Sequence, residues 1–408
     1  MLKIKGTALA GLVTLLIALT TSSVHAQSAN RGLLSWVPEK IDWGLSAYNG
    51  PNGTYYLLAL DGTIINQWGT LEDQILWAKP IFDPNGDILA LTGVTIIDGY
   101  LIPLPYKMAQ YDVNGNLFYE WDNFELERSE FAALHHDMVR LENGNTLVIC
   151  LSIANVPEIS PKTLLDDCLI EVDWEGNVVW EWHTFEHFDE FGFTDEQKQM
   201  ISDFAGDWAH ANSVSIIPPN THSDPAFTPG NIMVSYREIN TVVIIDRQTG
   251  EIVWTLGPTN SPMIGQHDAH MINADRPGGG NILLFDNGLR AGFPRVSRPF
   301  SQVLEIDPVT KQVVWRYNAV MSGRPQWDFF SPIISGAQRL VNGNTMITEG
   351  TKGRLFEVTQ DGEIVWDFLN PHVDDGSLGP TGRPIQDYSV FRAYRMPLFW
   401  GWPDSLTQ

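Results

Sequence analysis

Three short stretches carry the residues best suited to chemistry: HHD at His135–Asp137, DWAHANS at Asp207–Ser213 and GQHDAH at Gly265–His270. Each leads into an apolar, β-like run, and an arginine, Arg237, lies in the segment after the second. Imidazoles gathered around a guanidinium suit an anionic group that is to be transferred. A neutral imidazole can attack sulfur or phosphorus and hold the group covalently. An arginine offers a fixed fork of donors to a tetrahedral oxyanion, and another imidazole can move the proton of a leaving or entering oxygen. His267 is the candidate for the covalent step. His135 and His270 are candidate supports, and Asn212 and Asn287 either cap backbone or contact substrate. The same stretches also contain an imidazole–carboxylate set, His136, Asp137, His210, His267, Asp268 and His270, which makes metal binding a rival use. No HExxH or similar spacing supports that use, and no metal or other cofactor is assigned.

What brings the stretches together is a repeat. A polar turn, β-formers and a closing Trp recur at Leu58–Trp68, Tyr111–Trp121, Glu171–Trp182, Ile244–Trp254, Glu305–Trp315 and Glu357–Trp366. A second phrase alternates with it: NGDILAL, NGNTLVI, GNIMVSY, GNILLF and NGNTMIT. Each phrase reads as a β-hairpin. Two hairpins make a four-stranded sheet, and a sheet repeated roughly every 50–75 residues is a propeller blade. Five complete units run from about Leu76 to Phe368. Tyr388–Pro397 reads as an inner pair of strands without a Trp hairpin, and Thr54–Trp68 as a Trp hairpin without an inner pair. The expected fold is therefore all-β: a six-bladed β-propeller of four-stranded antiparallel blades, the last closed by both termini. The domain plan is residues 1–26 as a secretory signal, 27–53 as a lead segment, and 54–408 as one propeller domain.

Aligning the blades on the turn of the second phrase puts His136, His210 and His267 at one place, the start of the innermost strand, in three consecutive blades. Their side chains should meet at one mouth of the central channel. Loops His183–Ala209, Thr255–Gln266, Arg316–Ile334 and Asp367–Asp387 should open on that face. They are rich in Pro, Phe and Trp, as walls over a hydrophobic ring would be. Thr194 and Gln197 have capping-box spacing for a short helix in the first. The loop between Cys150 and Cys168 is expected on the opposite face, as a structural feature.

Composition narrows the setting. A formal net charge of −24 argues against nucleic acid and anionic membrane surfaces as partners. Lys3 and Lys5, the apolar run Ala8–Leu19 and the small residues before Gln27 read as a signal peptide cut after Ala26, so the mature chain would be secreted or periplasmic, with no membrane attachment. That compartment permits a disulfide between Cys150 and Cys168, the only cysteines, worth about 3 kcal/mol by chain entropy. No GxxxxGK[ST] loop points to a nucleotide donor, and neither cysteine sits in the Cys-x-Pro-x-Arg context of a formylglycine sulfatase.

DWAHANS, the strand with Arg237, WTLGP…GQHDAH and GNILLFDNG together resemble the bacterial arylsulfate sulfotransferases, from roughly Leu76 to Pro397. The phrase IDRQTGEIVW also resembles quinoprotein dehydrogenase propellers, but those usually have eight blades and often vicinal cysteines, and this chain has neither. The sulfotransferase resemblance implies a secreted or periplasmic six-bladed propeller. It would move a sulfuryl group from a phenolic sulfate ester to a phenolic acceptor, by a ping-pong route through a sulfohistidine and without a nucleotide. It carries the sulfated histidine onto His267, two sulfuryl-binding residues onto His210 and Arg237, and the proton-transfer histidine onto His136, or onto His135 beside it. Asp268, next to the nucleophile, departs from the family pattern and could orient His267 or repel an anionic donor. Larger members carry an N-terminal domain linked to dimerisation for which this chain lacks room, so the oligomeric state stays open. The reading from a different class is a non-catalytic propeller that binds a ligand or a protein at the same mouth.

Overall fold

The structure is a computed structural model. It describes residues 31–397 apart from 52, 69–77, 84, 94, 96–103, 123–130, 260 and 374–386. The expected signal sequence, the start of the second blade and part of the loop Asp367–Asp387 lie outside the described residues.

Six antiparallel sheets surround a central channel. Blade 1 contains Ala393–Pro397, Gly44–Asn49, Tyr55–Leu58 and Ile64–Trp68, from the channel outwards, and is closed by both ends of the chain. Blade 2 spans Ile81–Asp122, blade 3 Phe131–His183, blade 4 Ala211–Leu256, blade 5 His267–Tyr317 and blade 6 Gly336–Leu369. The closure differs from the expected inner pair. The C-terminal segment supplies one strand, and the second, Gly44–Asn49, comes from the lead segment. All six of its residues are buried. A strand buried on both faces has no alternating pattern by which to be read. A further strand, Gly32–Trp36, pairs with the outermost strand of blade 6 and covers its edge.

The repeated Trp is the joint between blades. Each indole Nε1–H crosses to a backbone carbonyl in the outer turn of the next blade. Trp68 reaches Asp112 at 3.1 Å, Trp121 Gly176 at 3.1 Å, Trp182 Gly250 at 2.8 Å and Trp254 Pro308 at 2.8 Å. Trp315 reaches Gln360 at 2.9 Å. Trp366 of blade 6 reaches Leu60 of blade 1 at 2.8 Å, which completes the ring. Packed between adjacent blades are apolar layers, such as Met233, Ile244 and Trp254 against Ile282, Leu284 and Leu304.

Cys150 and Cys168 face each other on neighbouring strands of blade 3 and are joined as a disulfide. Their loop does not lie on the opposite face, as expected, but on the histidine face. The strand Thr146–Ala154 runs away from the hairpin turn at 141–145, so it ends beside the beginning of the innermost strand. There Ser160 Oγ donates to the Ser202 carbonyl at 2.8 Å. Ser202 belongs to a helix, α1 (Asp195–Phe204), which has the expected capping box between Thr194 and Gln197. Gly206–Asp207, just after α1, pairs in parallel with Leu164–Leu165.

If the indole ring holds the closure, Trp366→Phe keeps the packing but loses the bond to Leu60. The expected cost is about 1–3 kcal/mol, from the lost bond and the carbonyl left unsatisfied. Urea unfolding should show this as a lower midpoint with an unchanged slope; an unchanged midpoint would reject the role.

Candidate functional site

His136, His210 and His267 do converge, though not at one repeat position. The backbone bonds that begin the inner hairpins, Leu141 N–H to Asn145, Ile217 N–H to Asn231 and Ile272 N–H to Asn281, define equivalent residues. Counting back from them aligns His136 with His267, but with Asn212 in blade 4. His210 lies two residues earlier. Pairing in all three inner strands is interrupted where the site residues fall: between the partners of Val148 and Cys150, at Ala211/Ser213, and at His267/His270. His136, His210 and Asp268 have φ of 61°, 58° and 57°, left-handed values that are uncommon outside glycine. Bulges of this kind re-aim side chains. Here they bring the rings of His136 and His210 to 4.8 Å between centroids although their places in the repeat differ.

Each imidazole is held in a different state. His267 is 2 % exposed, and its Nδ1 lies 2.8 Å from Asn287 Oδ1 and 3.3 Å from the Gly265 carbonyl. The Asn287 amide cannot turn round, because its Nδ2 donates to the carbonyls of Ser331 and Ile334, both at 2.8 Å. Two acceptors therefore face Nδ1, which must carry the hydrogen, and Nε2 keeps its lone pair. Burial, with Arg237 and Arg392 nearby, holds this imidazole well below its usual protonation range. His210 is the opposite case. Its Nδ1 bonds Asp207 Oδ2 at 2.6 Å. Burial disfavours charge on the ring, but the Asp207 carboxylate outweighs it and raises the imidazole above its ordinary value. His136 is kept neutral by burial and by the neighbouring His210, His135 and His267. His135 and His136 meet Nδ1 to Nδ1 at 2.8 Å, and His135 Nε2 lies 3.2 Å from the Cys150 carbonyl. His135 therefore donates from Nε2 and accepts from His136, which leaves the Nε2 of His136 bare. His136 rather than His135 touches the cluster.

Arg237 follows the strand Ile232–Tyr236, and its N–H donates to the His210 carbonyl at 2.9 Å. Its guanidinium pairs with Glu238 and also acts on His267 and His210. The Gly265 turn lies against it. At φ 62°, a Cβ there would stand 2.9 Å from the Leu289 carbonyl and 3.8 Å from Arg237 Cγ. Asn212 donates from Nδ2 to the Gln266 carbonyl at 2.7 Å, tying blade 4 to the His267 turn. Asp268 is not turned to His267. Its oxygens accept from Tyr394 Oη at 2.9 Å and from the Ala337 N–H at 3.2 Å. His270 lies farther along the channel, lining a 150 Å³ cavity with Lys79, Asp137 and Tyr394. Asp137 faces Lys79 at 3.1 Å and Arg392 at 2.8 Å, and Asp268 also stands 3.5 Å from Arg392, so the acids of the supposed metal set are directed at cations. Among the described residues, no three His, Cys, Asp or Glu side chains could share an ion.

Residues 108–371, more than half of the chain, match the family model for arylsulfotransferases (ASST). The chain belongs to the arylsulfotransferase family. No curated protein sequence matches it. A solved protein of unknown function from Bacteroides caccae is similar over 86% of this chain and 98% of its own, with a TM-score of 0.51 and 13% identity. A likeness at that identity is one of fold. A putative 6-phosphogluconolactonase from Bacteroides fragilis aligns over 87% of this chain and 98% of its own at 9% identity, with a TM-score of 0.44, too loose to carry an argument. Membership points to sulfotransferase chemistry on small aryl substrates. Among the described residues, no helix is long and apolar enough to cross a membrane.

Sequence reasoning on this arylsulfotransferase relative left two site residues without a role. Asp207 was visible at the head of DWAHANS. Arg392, 1 % exposed, comes from the closing segment and donates to Asp137 and to the Asn212 carbonyl. Its only signal was as one of two arginines, Arg392 and Arg395, in the inner segment YSVFRAYRMP.

The charge states can be checked directly. In an NMR titration His210 should remain protonated above the ordinary imidazole range, and Asp207→Asn should lower its midpoint. His267 and His136 should stay neutral until pH falls well below that range. Because their protonation is suppressed only in the folded state, their contribution to stability is present above the unfolded value of about 6.5 and is lost as pH falls below it. The contribution of His210 has the opposite sign: it is present below about 6.5 and is lost as pH rises through the raised folded value.

Proposed function

We propose that the protein is a secreted or periplasmic arylsulfate sulfotransferase that works by a ping-pong route through a sulfohistidine at His267. The observation that carries this reading is the fixed tautomer of a neutral, buried imidazole. Asn287 and the Gly265 carbonyl take the Nδ1 hydrogen, and Nε2 is left as a nucleophile among cationic groups.

In the first half-reaction the Nε2 lone pair attacks the sulfur of an aryl sulfate, and the bond from sulfur to the aryl oxygen breaks. The positive charge that develops on the ring is met by Asn287 Oδ1 through Nδ1–H. Arg237 holds equatorial oxygens and the charge of the His210 imidazolium stands beside them, which is electrostatic stabilisation of the transferring group. His210, charged through Asp207, also gives its proton to the departing phenolate, whereas neutral His136 cannot at first. The electrostatics thus favour His210 over His136 as the acid, and His210, once it has given up that proton, as the base that orients an incoming hydroxyl. In the second half-reaction a phenol loses its proton to His210, its oxygen attacks the sulfur, and the bond from sulfur to Nε2 breaks, which restores the enzyme. The N-terminal signal-like segment supports export, and the net charge of −24 makes the cationic cluster a local site for an anionic donor.

With 4-nitrophenyl sulfate, phenol should accelerate nitrophenol release, and intact-mass spectra should show one sulfuryl adduct that His267→Asn abolishes. Asn287→Leu should slow formation of the adduct by as much as about 10⁴-fold, the cost of a wrong imidazole tautomer in a comparable site. If the folded protein shows neither release nor adduct, the channel mouth is a binding site and the transferase reading is wrong.

A further inference from the structure

The histidine cluster has a charged aromatic rim that the transfer of a sulfuryl group does not use. It is built by residues 287–301, the loop between the second and third strands of blade 5. This loop sits directly on the site: the Leu289 carbonyl lies against Gly265, two residues before His267, and the Gly292 N–H donates to the Glu238 carbonyl at 2.8 Å. Arg295 stacks over Phe204 and Phe293, with 4.5 Å to each centroid. The two rings meet edge to face at 5.6 Å, and Phe204, at the end of α1, is 49 % exposed.

Cations outnumber carboxylates on this rim: Arg237, Arg290 and Arg295 stand against Glu238 and, at longer range, Asp207. The Glu238 carboxylate accepts from Arg237 at one oxygen and from Arg295 at the other, so one carboxylate serves two guanidiniums. Arg290, exposed on the same loop, adds a third, and it forms no ion pair among the described residues. Arg295 feels that neighbour: burial and the charge of Arg290 lower it to about 10, against the opposing pull of Asp207. In a protein of net charge −24, an excess of cations beside an exposed ring is a local exception. A sulfuryl group occupies the inner cations, His210 and Arg237, but not the outer ones: Arg295 has only its share of Glu238, and Arg290 has no ion pair among the described residues. An aromatic face next to an arginine pair is a surface for a ring that itself bears an anion.

We infer that the preferred aryl substrates carry an anionic ring substituent, a carboxylate for instance, which Arg290 and Arg295 receive while the ring lies against Phe204. The inference rests on the aryl-transfer reading above and names the substrate class of that site.

The test compares 4-hydroxybenzoate with its neutral isostere 4-hydroxybenzamide as acceptors from 4-nitrophenyl sulfate, and as ligands of His267→Asn by calorimetry. The expected kcat/KM ratio favours the acid by roughly 5- to 50-fold, between the worth of an exposed ion pair and that of a charge-assisted hydrogen bond. The ratio should shrink with added salt. Arg290→Ala and Arg295→Gln should each move it toward one. Arg295→Gln also removes a packed side chain, so its melting temperature is measured, and the exposed Arg290→Ala keeps the test decisive if Arg295→Gln fails to fold. A wild-type ratio near one, or a ratio that Arg290→Ala leaves unchanged, overturns the inference while transfer itself persists. If no acceptor is sulfated but the acid still binds more tightly than the amide through Arg290, the rim assignment holds and the transferase reading fails.

Discussion

Closure of the ring is the constraint on which the rest depends. Six indole N–H groups each reach the next blade, and the last reaches back from Trp366 to Leu60. The two chain ends meet in blade 1, where Ala393–Pro397 pairs with Gly44–Asn49. Without that pairing the array would have two open edges, and Arg392 would lose its place in the channel. The chemistry at the mouth is therefore coupled to the least local contact in the molecule.

Inside the ring, buried charges are tolerated because they are paired across blades. Arg392 of blade 1 joins Asp137 of blade 3 to the backbone of Asn212 in blade 4, and Asp268 of blade 5 stands 3.5 Å away. A lone charge at that depth would be costly, and hydrogen bonding within the set offsets part of that cost. The same network gives the imidazoles unequal states. Burial, with cations nearby, suppresses protonation of His267, whereas the Asp207 carboxylate sustains it at His210. A neutral imidazole and a charged one can thus coexist in one cluster, built from one residue type.

The position of the disulfide loop shows how much follows from strand direction alone. Once Thr146–Ala154 runs back toward the mouth, its end and the loop after it must join the histidine face. The loop then packs against α1 and the strand that presents Asp207. The Cys150 carbonyl, beside the bridge, receives His135 and so fixes the tautomer of His136. A feature expected to be remote from the site is one of its supports.

By itself the sequence determined the blade count, the Trp joints and the histidine stretches, because hairpins are local and recur with visible turn and β-former patterns. It also carried the capping box of α1, a contact between residues three apart. It did not determine the strand Gly44–Asn49, whose uniform burial leaves no alternation to read. Nor did it determine that His210 lies out of register with His136 and His267, since bulges and left-handed residues consume positions that an alignment counts as regular. The pairing of Arg392 with Asp137 spans 255 residues of sequence. Contacts of that range have no local signature, and only closing the ring brings the two together.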